Sequence, residues 1–168
     1  MFTNRVRQSM QAFLQGLPLM QTLEEFDPPL IEFEMEEFQG GRFISEEQAK
    51  GLKALTAKLT IQGVGLPIMT ALGVTVGDQI LLTVQEAGED GDGAEWFSYH
   101  VCGGKLKKLE EKTLKMKDKK VTILEIALIT YTRAEMGVPV IDINTRTQKI
   151  VINGIDMIKG ARRLVGMA

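Results

Sequence analysis

Within residues 30–38, positions 31–36 alternate without a break, with Ile31, Phe33 and Met35 on one side and Glu32, Glu34 and Glu36 on the other. A period of two places successive side chains on opposite faces of an extended chain, so the stretch predicts a strand with one apolar and one acidic face. Residues 55–62 repeat the pattern, sending Leu55, Ala57, Leu59 and Ile61 inward and Thr56, Lys58, Thr60 and Gln62 outward. Strand-like runs return at 80–84, 95–101, 121–133, 140–144 and 149–152. The acidic, glycine-rich residues 89–93 lie between two of them and read as a hairpin turn. Together these runs predict a mainly β domain of the sandwich or barrel type.

Helical signals are few. Between Gly63 and Gly73, Pro67 suits a first-turn position, Gly73 suits a C-terminal cap, and Ile68, Met69 and Leu72 fall on one packing face. In residues 105–120, Leu106, Leu109, Thr113 and Met116 recur at helical spacing, and propensity alone predicts helix there. Residues 41–54, which join the two amphipathic strands, read mostly as loop: Ser45 and Gln48 have capping-box spacing, but Gly51 interrupts any helix they would start. Pro139 cannot donate to a ladder, which leaves the register of the strand around it open.

The 168 residues, 44% of them hydrophobic, suffice for one core and give no reason to divide the chain, so residues 1–168 are expected to form a single domain. A net charge of -2 gives no overall drive toward nucleic acid or anionic lipid. One cysteine, Cys102, cannot make an intrachain disulfide, which points to folding in a reducing cytoplasm. The first sixteen residues carry Arg5, Arg7 and several glutamines and lack the apolar run of a signal peptide. Nothing approaches the roughly 18 apolar residues of a spanning helix, so no membrane anchor is expected.

The residues that carry chemistry are scarce. His100 and Cys102 share one strand face, but no other His or Cys exists to complete a soft-metal site or a nucleophile and base pair, and packing is the simpler role. Asp90 and Asp92 resemble the start of a calcium loop, yet Glu95 stands where that loop needs glycine, and a turn explains them. Gly63 and Gly65 lack both the third glycine of a dinucleotide fingerprint and the Lys-Ser or Lys-Thr of a phosphate loop. No catalytic, cofactor-binding or metal-ligating set is therefore predicted. Lysines 105, 107, 108, 112, 115, 117, 119 and 120 make a local positive excess without an aromatic residue to stack a base, which favours a solvated face or a charged docking surface over nucleic-acid recognition.

The order of short motifs carries further. Ala12-Phe13-Leu14-Gln15-Gly16, Glu37-Phe38-Gln39-Gly40-Gly41, the 63–73 segment, the 121–133 strand, Val140-Ile141-Asp142-Ile143-Asn144 and Val151-Ile152-Asn153-Gly154-Ile155-Asp156 together resemble the major tail tube protein of contractile-tailed bacteriophages. The resemblance spans nearly the whole chain and is most specific over residues 129–167. It implies a tail-tube-type β-sandwich or barrel with one short flanking helix, associating with itself as hexameric rings around a continuous inner β-barrel. It also implies strand and loop, not helix, at residues 105–120. The rings would stack into the inner tube of a contractile tail, assembled in the host cytoplasm and carried in the virion, through which DNA passes into the host without specific binding. Sheath, baseplate and tape measure proteins are the implied partners.

On this resemblance residues 41–54 are the loop that reaches a neighbouring ring, through Arg42, Phe43, Ile44, Glu46, Glu47 and Lys50. The strands at 30–38 and 55–62 contribute to the inner barrel, so that Glu32, Glu34, Glu36, Thr56, Lys58 and Thr60 face an acidic bore that repels phosphate. Three other readings compete: a tube of a phage-derived bacteriocin or a type VI-like secretion apparatus, a monomeric β-barrel binding module using the lysines, and an enzyme centred on His100 and Cys102.

Overall fold

The computed structural model describes residues 3–63, 70, 73 and 75–167. Among these residues it contains twelve strands and one helix. The strands are β1 (Arg5–Leu14), β2 (Leu17–Pro18), β3 (Leu23–Asp27), β4 (Phe33–Phe38), β5 (Glu46–Leu52), β6 (Thr56–Gln62), β7 (Gln79–Asp90), β8 (Glu95–Glu111), β9 (Val121–Glu135), β10 (Val138–Asn144), β11 (Lys149–Ile152) and β12 (Ile155–Asp156). The helix, α1, spans Lys159–Leu164.

Ten strands form one antiparallel sheet in the order β12-β11-β10-β9-β8-β7-β1-β2, with β6 and then β3 branching from β9. The branch follows from the length of β9, whose 130–135 half pairs with β10 while its 121–127 half pairs with β6. The two halves separate at residues 128–130, where the pairing with β8 shifts register between Gly103 and Gly104. Along the path β3-β6-β9-β8-β7-β1 the sheet curls until β1 comes up against β3. Leu19 bridges the seam, its N–H donating to the Ala12 carbonyl at 2.8 Å and its own carbonyl accepting from Leu23 at 2.8 Å. A curled sheet of this kind encloses one apolar core, here Leu14, Leu59, Ile61, Leu82, Leu124 and Ile126 among others, all fully buried.

Strand alternation accounts for most of this. In β8, Trp96, Ser98, His100, Cys102 and Leu106 are buried at every second position while Glu95, Phe97 and Lys105 are exposed. The helical spacing of Leu106 and Leu109 is overridden because both residues are in register with β9, opposite Ile126 and Leu124. Strand β8 therefore runs through Glu111, and residues 112–120 form the connection to β9. Pro139 sits at a register shift in the β9–β10 pairing, between Pro139 and Ile141, as its missing N–H requires.

Two expectations are corrected. Residues 41–54 are not mostly loop, since Glu46–Leu52 is a full strand paired with β4 from Phe33↔Leu52 to Phe38↔Glu46. Its pattern is invisible to hydrophobic periodicity because six of its seven residues are exposed and neither face is apolar. Strand β4 consequently lies in a separate two-stranded sheet, so Glu34 and Glu36, with Glu32 just before them, are not on the sheet that carries Thr56, Lys58 and Thr60. Within β6, Lys58 is exposed and Thr56 half-buried, but Thr60 is only 8% exposed, flanked in the sheet by Glu25 and Ile123. The packing residues Ile68, Met69 and Leu72 of the helix expected between Gly63 and Gly73 lie outside the described residues, and α1 is a separate helix that follows the last strand.

Candidate functional site

The inner face of β8 holds the residues with the strongest chemical potential. His100 is 4% exposed, shares a 2.8 Å hydrogen bond with the Tyr131 hydroxyl, and lies 5.5 Å from the Phe26 ring centroid. Burial holds its pKa below the ordinary 6.5, and the Arg133 charge acts in the same direction. Glu86 Oε1 accepts from Ser98 at 2.7 Å and Oε2 from Arg7 at 2.5 Å. Burial alone would raise the Glu86 pKa, but these two hydrogen bonds and the charges of Arg7 and His100 bring it below the usual 4.5. Cys102 is fully buried, and the lost hydration of a thiolate pushes its pKa up to about 12. The thiol is thereby held in its protonated form, and His100 has Nδ1 engaged by the Tyr131 hydroxyl while Nε2 lies 4.0 Å from Glu86 Oε1. His100 and Cys102 do share a face, as their spacing predicted, and that face is the packed interior.

Asp90 behaves as a turn residue, its Oδ1 accepting 2.9 Å bonds from the backbone N–H groups of Asp92 and Ala94. Those bonds, the one from Ala94 foremost, hold its carboxyl below the ordinary range. Among the described residues no group of three or more His, Cys, Asp or Glu side chains is gathered as a metal site needs.

The features that remain are surfaces. The β4–β5 hairpin pairs with no other strand among the described residues. Its base is held because Ile31 and Leu52 pack against the core and Lys53 N–H donates to the Glu32 carbonyl at 2.9 Å. Beyond that base it carries Arg42, Phe43 and Ile44 in its turn and Glu46, Glu47 and Lys50 on β5, so the residues expected to reach a neighbour are gathered on one projection. Phe43 is 99% exposed and Ile44 77%. A two-stranded ribbon is marginal in water by itself, and exposed apolar tips mark contact sites. Ion pairs brace it: Lys53 with Glu32 at 3.2 Å, Lys50 with Glu36 at 3.4 Å and Arg42 with Glu46 at 3.0 Å.

Sheet edges are the second surface. Strand β2 pairs only with Phe13 and Leu14, so residues 5–11 of β1 have no strand partner on that side among the described residues. Sequence patterning missed this edge because residues 5–9 are all exposed and carry no apolar period.

In fold, the chain is similar to the sheath/tube terminator of an extracellular contractile injection system in its extended state, known from cryo-EM, with a TM-score of 0.55 and 8% identity over 75% of this chain and 93% of that one. Sequence comparison with individually curated proteins gives no match. Residues 5–166 match the family described as phage tail tube protein FII. A chain matched over nearly its full length, with a β-rich body, a projecting hairpin and open sheet edges, belongs to this family of structural phage tail tube proteins.

Proposed function

We propose that this chain builds the inner tube of a contractile phage tail by closing into hexameric rings through its sheet edges and stacking those rings through the β4–β5 hairpin. The observation that carries the reading is the hairpin itself. It is a strand pair outside the main sheet with Phe43 and Ile44 unburied at its tip, an arrangement a free monomer has no use for. Lateral closure and axial stacking are both heterologous contacts, of which the first closes and the second stays open, so the assembly lengthens without limit of its own. Glu32, Glu34 and Glu36 then belong to the inter-ring arm, and the bore wall falls to the outer sheet face that carries Thr56 and Lys58. DNA passes through that bore without specific binding, and sheath, baseplate and tape measure proteins are the partners outside, at the end and within.

A second reading, the tube of an injection particle that carries no genome, is favoured by the structural similarity to a contractile injection system. Genes for a capsid and a terminase beside this one decide for the virion. Negative-stain microscopy of the purified protein tests both: rings or hollow tubes are expected, and a monomer at every concentration overturns the tube reading.

A further inference from the structure

Strand β6 joins two regions of opposite charge. At its Gln62 end sits the β8–β9 connection, residues 112–120, tied down by Gly63 N–H donating to the Lys120 carbonyl at 2.7 Å and Lys112 N–H to the Val121 carbonyl at 3.1 Å. At its Thr56 end the β4–β5 hairpin departs. Seven residues of strand at about 3.3 Å each hold the bases of the two roughly 20 Å apart within a subunit.

Each end carries charge that its own subunit leaves unpaired. On the hairpin Glu37 stands directly opposite Glu47, both exposed, and like charges in that position repel. The hairpin's cations are taken by Glu32, Glu36 and Glu46, which leaves Glu34, Glu37 and Glu47 without a cationic partner among the described residues. Ser45 donates to Glu37 at 2.6 Å but brings no charge. In the 112–120 connection five lysines face one acid, Asp118, and Lys112, Lys115, Lys117 and Lys119 have no carboxylate within 4.0 Å among the described residues. Both regions also present unburied apolar side chains, Leu114 at 78% and Met116 at 92% on the connection, Phe43 and Ile44 on the hairpin.

We propose that the lysine connection at 112–120 is the socket for the Glu37/Glu47 hairpin of a second copy of this chain, an inference that rests on the tube reading and names the surface that receives the arm. A copy displaced along the β6 direction brings opposite charges together, relieves the Glu37–Glu47 repulsion and buries apolar groups on both sides. The contact leaves one unused hairpin at one end and one unused socket at the other, so it propagates. Nucleic acid is the weaker occupant, because residues 105–120 contain no aromatic side chain to stack a base.

The test uses three full-length proteins: the wild type, a socket variant (Lys112→Glu, Lys115→Glu, Lys119→Glu) and an arm variant (Glu34→Lys, Glu37→Lys, Glu47→Lys). Tubes are counted by microscopy and by pelleting, and the circular dichroism spectrum of each protein confirms its fold. Each variant alone should give at least about tenfold less pelletable tube than wild type, and an equal mixture should restore it, because reversed socket then meets reversed arm while the native pair is kept at the alternate contact. Wild-type tubes should also shorten as salt rises from about 0.05 M to about 0.5 M, which tests the idea even where a variant misfolds. Normal tubes from the socket variant, no rescue in the mixture of folded variants, or salt-indifferent wild-type tubes overturn the socket and leave the tube reading standing. Normal tubes together with lost retention of DNA on a filter overturn it in favour of a nucleic-acid role for the lysines. A wild type that forms neither rings nor tubes removes the tube reading and the socket with it.

Discussion

Two glycines in the long strands are fixed by how closely backbones approach. A Cβ on Gly104 would lie 2.2 Å from the Ala127 carbonyl oxygen and 2.9 Å from Leu128 Cα, and a Cβ on Gly88 would lie 1.9 Å from the Val6 carbonyl oxygen. Both sit at bulges, between Gly103 and Gly104 on β8 and opposite the Arg7/Ser9 shift of β1, where one strand crowds the other. Gly104→Ala should therefore destabilise the fold by about 2 kcal/mol or more, because the obstructing atoms are backbone and cannot rotate away. Urea unfolding checks it, and a change under about 0.5 kcal/mol would show that β9 yields. His100 gives a different signature. Its folded pKa lies below the ordinary 6.5, so as pH falls through that value the unfolded chain takes up a proton that the folded one refuses, and stability drops. Glu86, held below 4.5, contributes stability above its ordinary value and loses it only at lower pH, so the two windows separate. His100→Gln should flatten the urea midpoint between about pH 7 and pH 5 and leave the steeper acid limb, and an unchanged slope in that window would assign it elsewhere.

The element that matters most is the one whose partner the sequence concealed. Replacing residues 35–50 with an Asn-Gly turn between Glu34 and Gly51 shortens the hairpin while keeping Ile31 and Leu52 on the core. The body should keep its stability within about 0.5 kcal/mol, since every removed residue except half-buried Ser45 is exposed, and tubes should vanish while rings persist. Full-length tubes from this variant would show that stacking runs through another surface. Period-two alternation exposed β4 at once, because Phe33 and Met35 alternate with glutamates, yet it could not show what β4 pairs with. Strand β5 has no apolar face, and only the ladder from Phe33↔Leu52 to Phe38↔Glu46 makes it a strand. In β8 local helical spacing and long-range pairing disagreed, and pairing won because Leu106 and Leu109 fall opposite buried Ile126 and Leu124. Helix α1 is six residues long, too short for a periodic signal, and is held by buried Arg162 bonded to Asp156, a contact that spacing does not announce. The chemical scarcity around His100 was legible because it follows from counting residue types. The surfaces were less so, because exposure depends on which strands end up at an edge.

At the scale of the whole molecule, the curled sheet closes its core on β1 and β3 but does not dispose of its edges. The free side of β1 is the longest of these, and its charges are already engaged inward. Arg7 bonds to Glu86 at 2.5 Å, and Arg5 reaches Glu135 at 3.4 Å and lies 5.6 Å from the Trp96 ring centroid. Val6, between them and 62% exposed, is left as an uncharged side chain on an open edge, the kind of position soluble monomers protect with lysine. If ring closure uses this edge, Val6→Lys should leave the subunit as stable as wild type to within about 0.5 kcal/mol and prevent rings, since the new cation, with exposed Glu89 directly opposite it on β7, must be desolvated when the next subunit arrives. Mass photometry separates this from the hairpin variant: the edge substitution should yield monomers, and the shortened hairpin should yield unstacked rings. Rings from Val6→Lys at wild-type yield would move lateral closure to the β3 or β12 edge. Monomers from both variants would mean that ring and stack form as one coupled step, in which the hairpin's neighbours in the next ring are needed to hold the β1 edge in place.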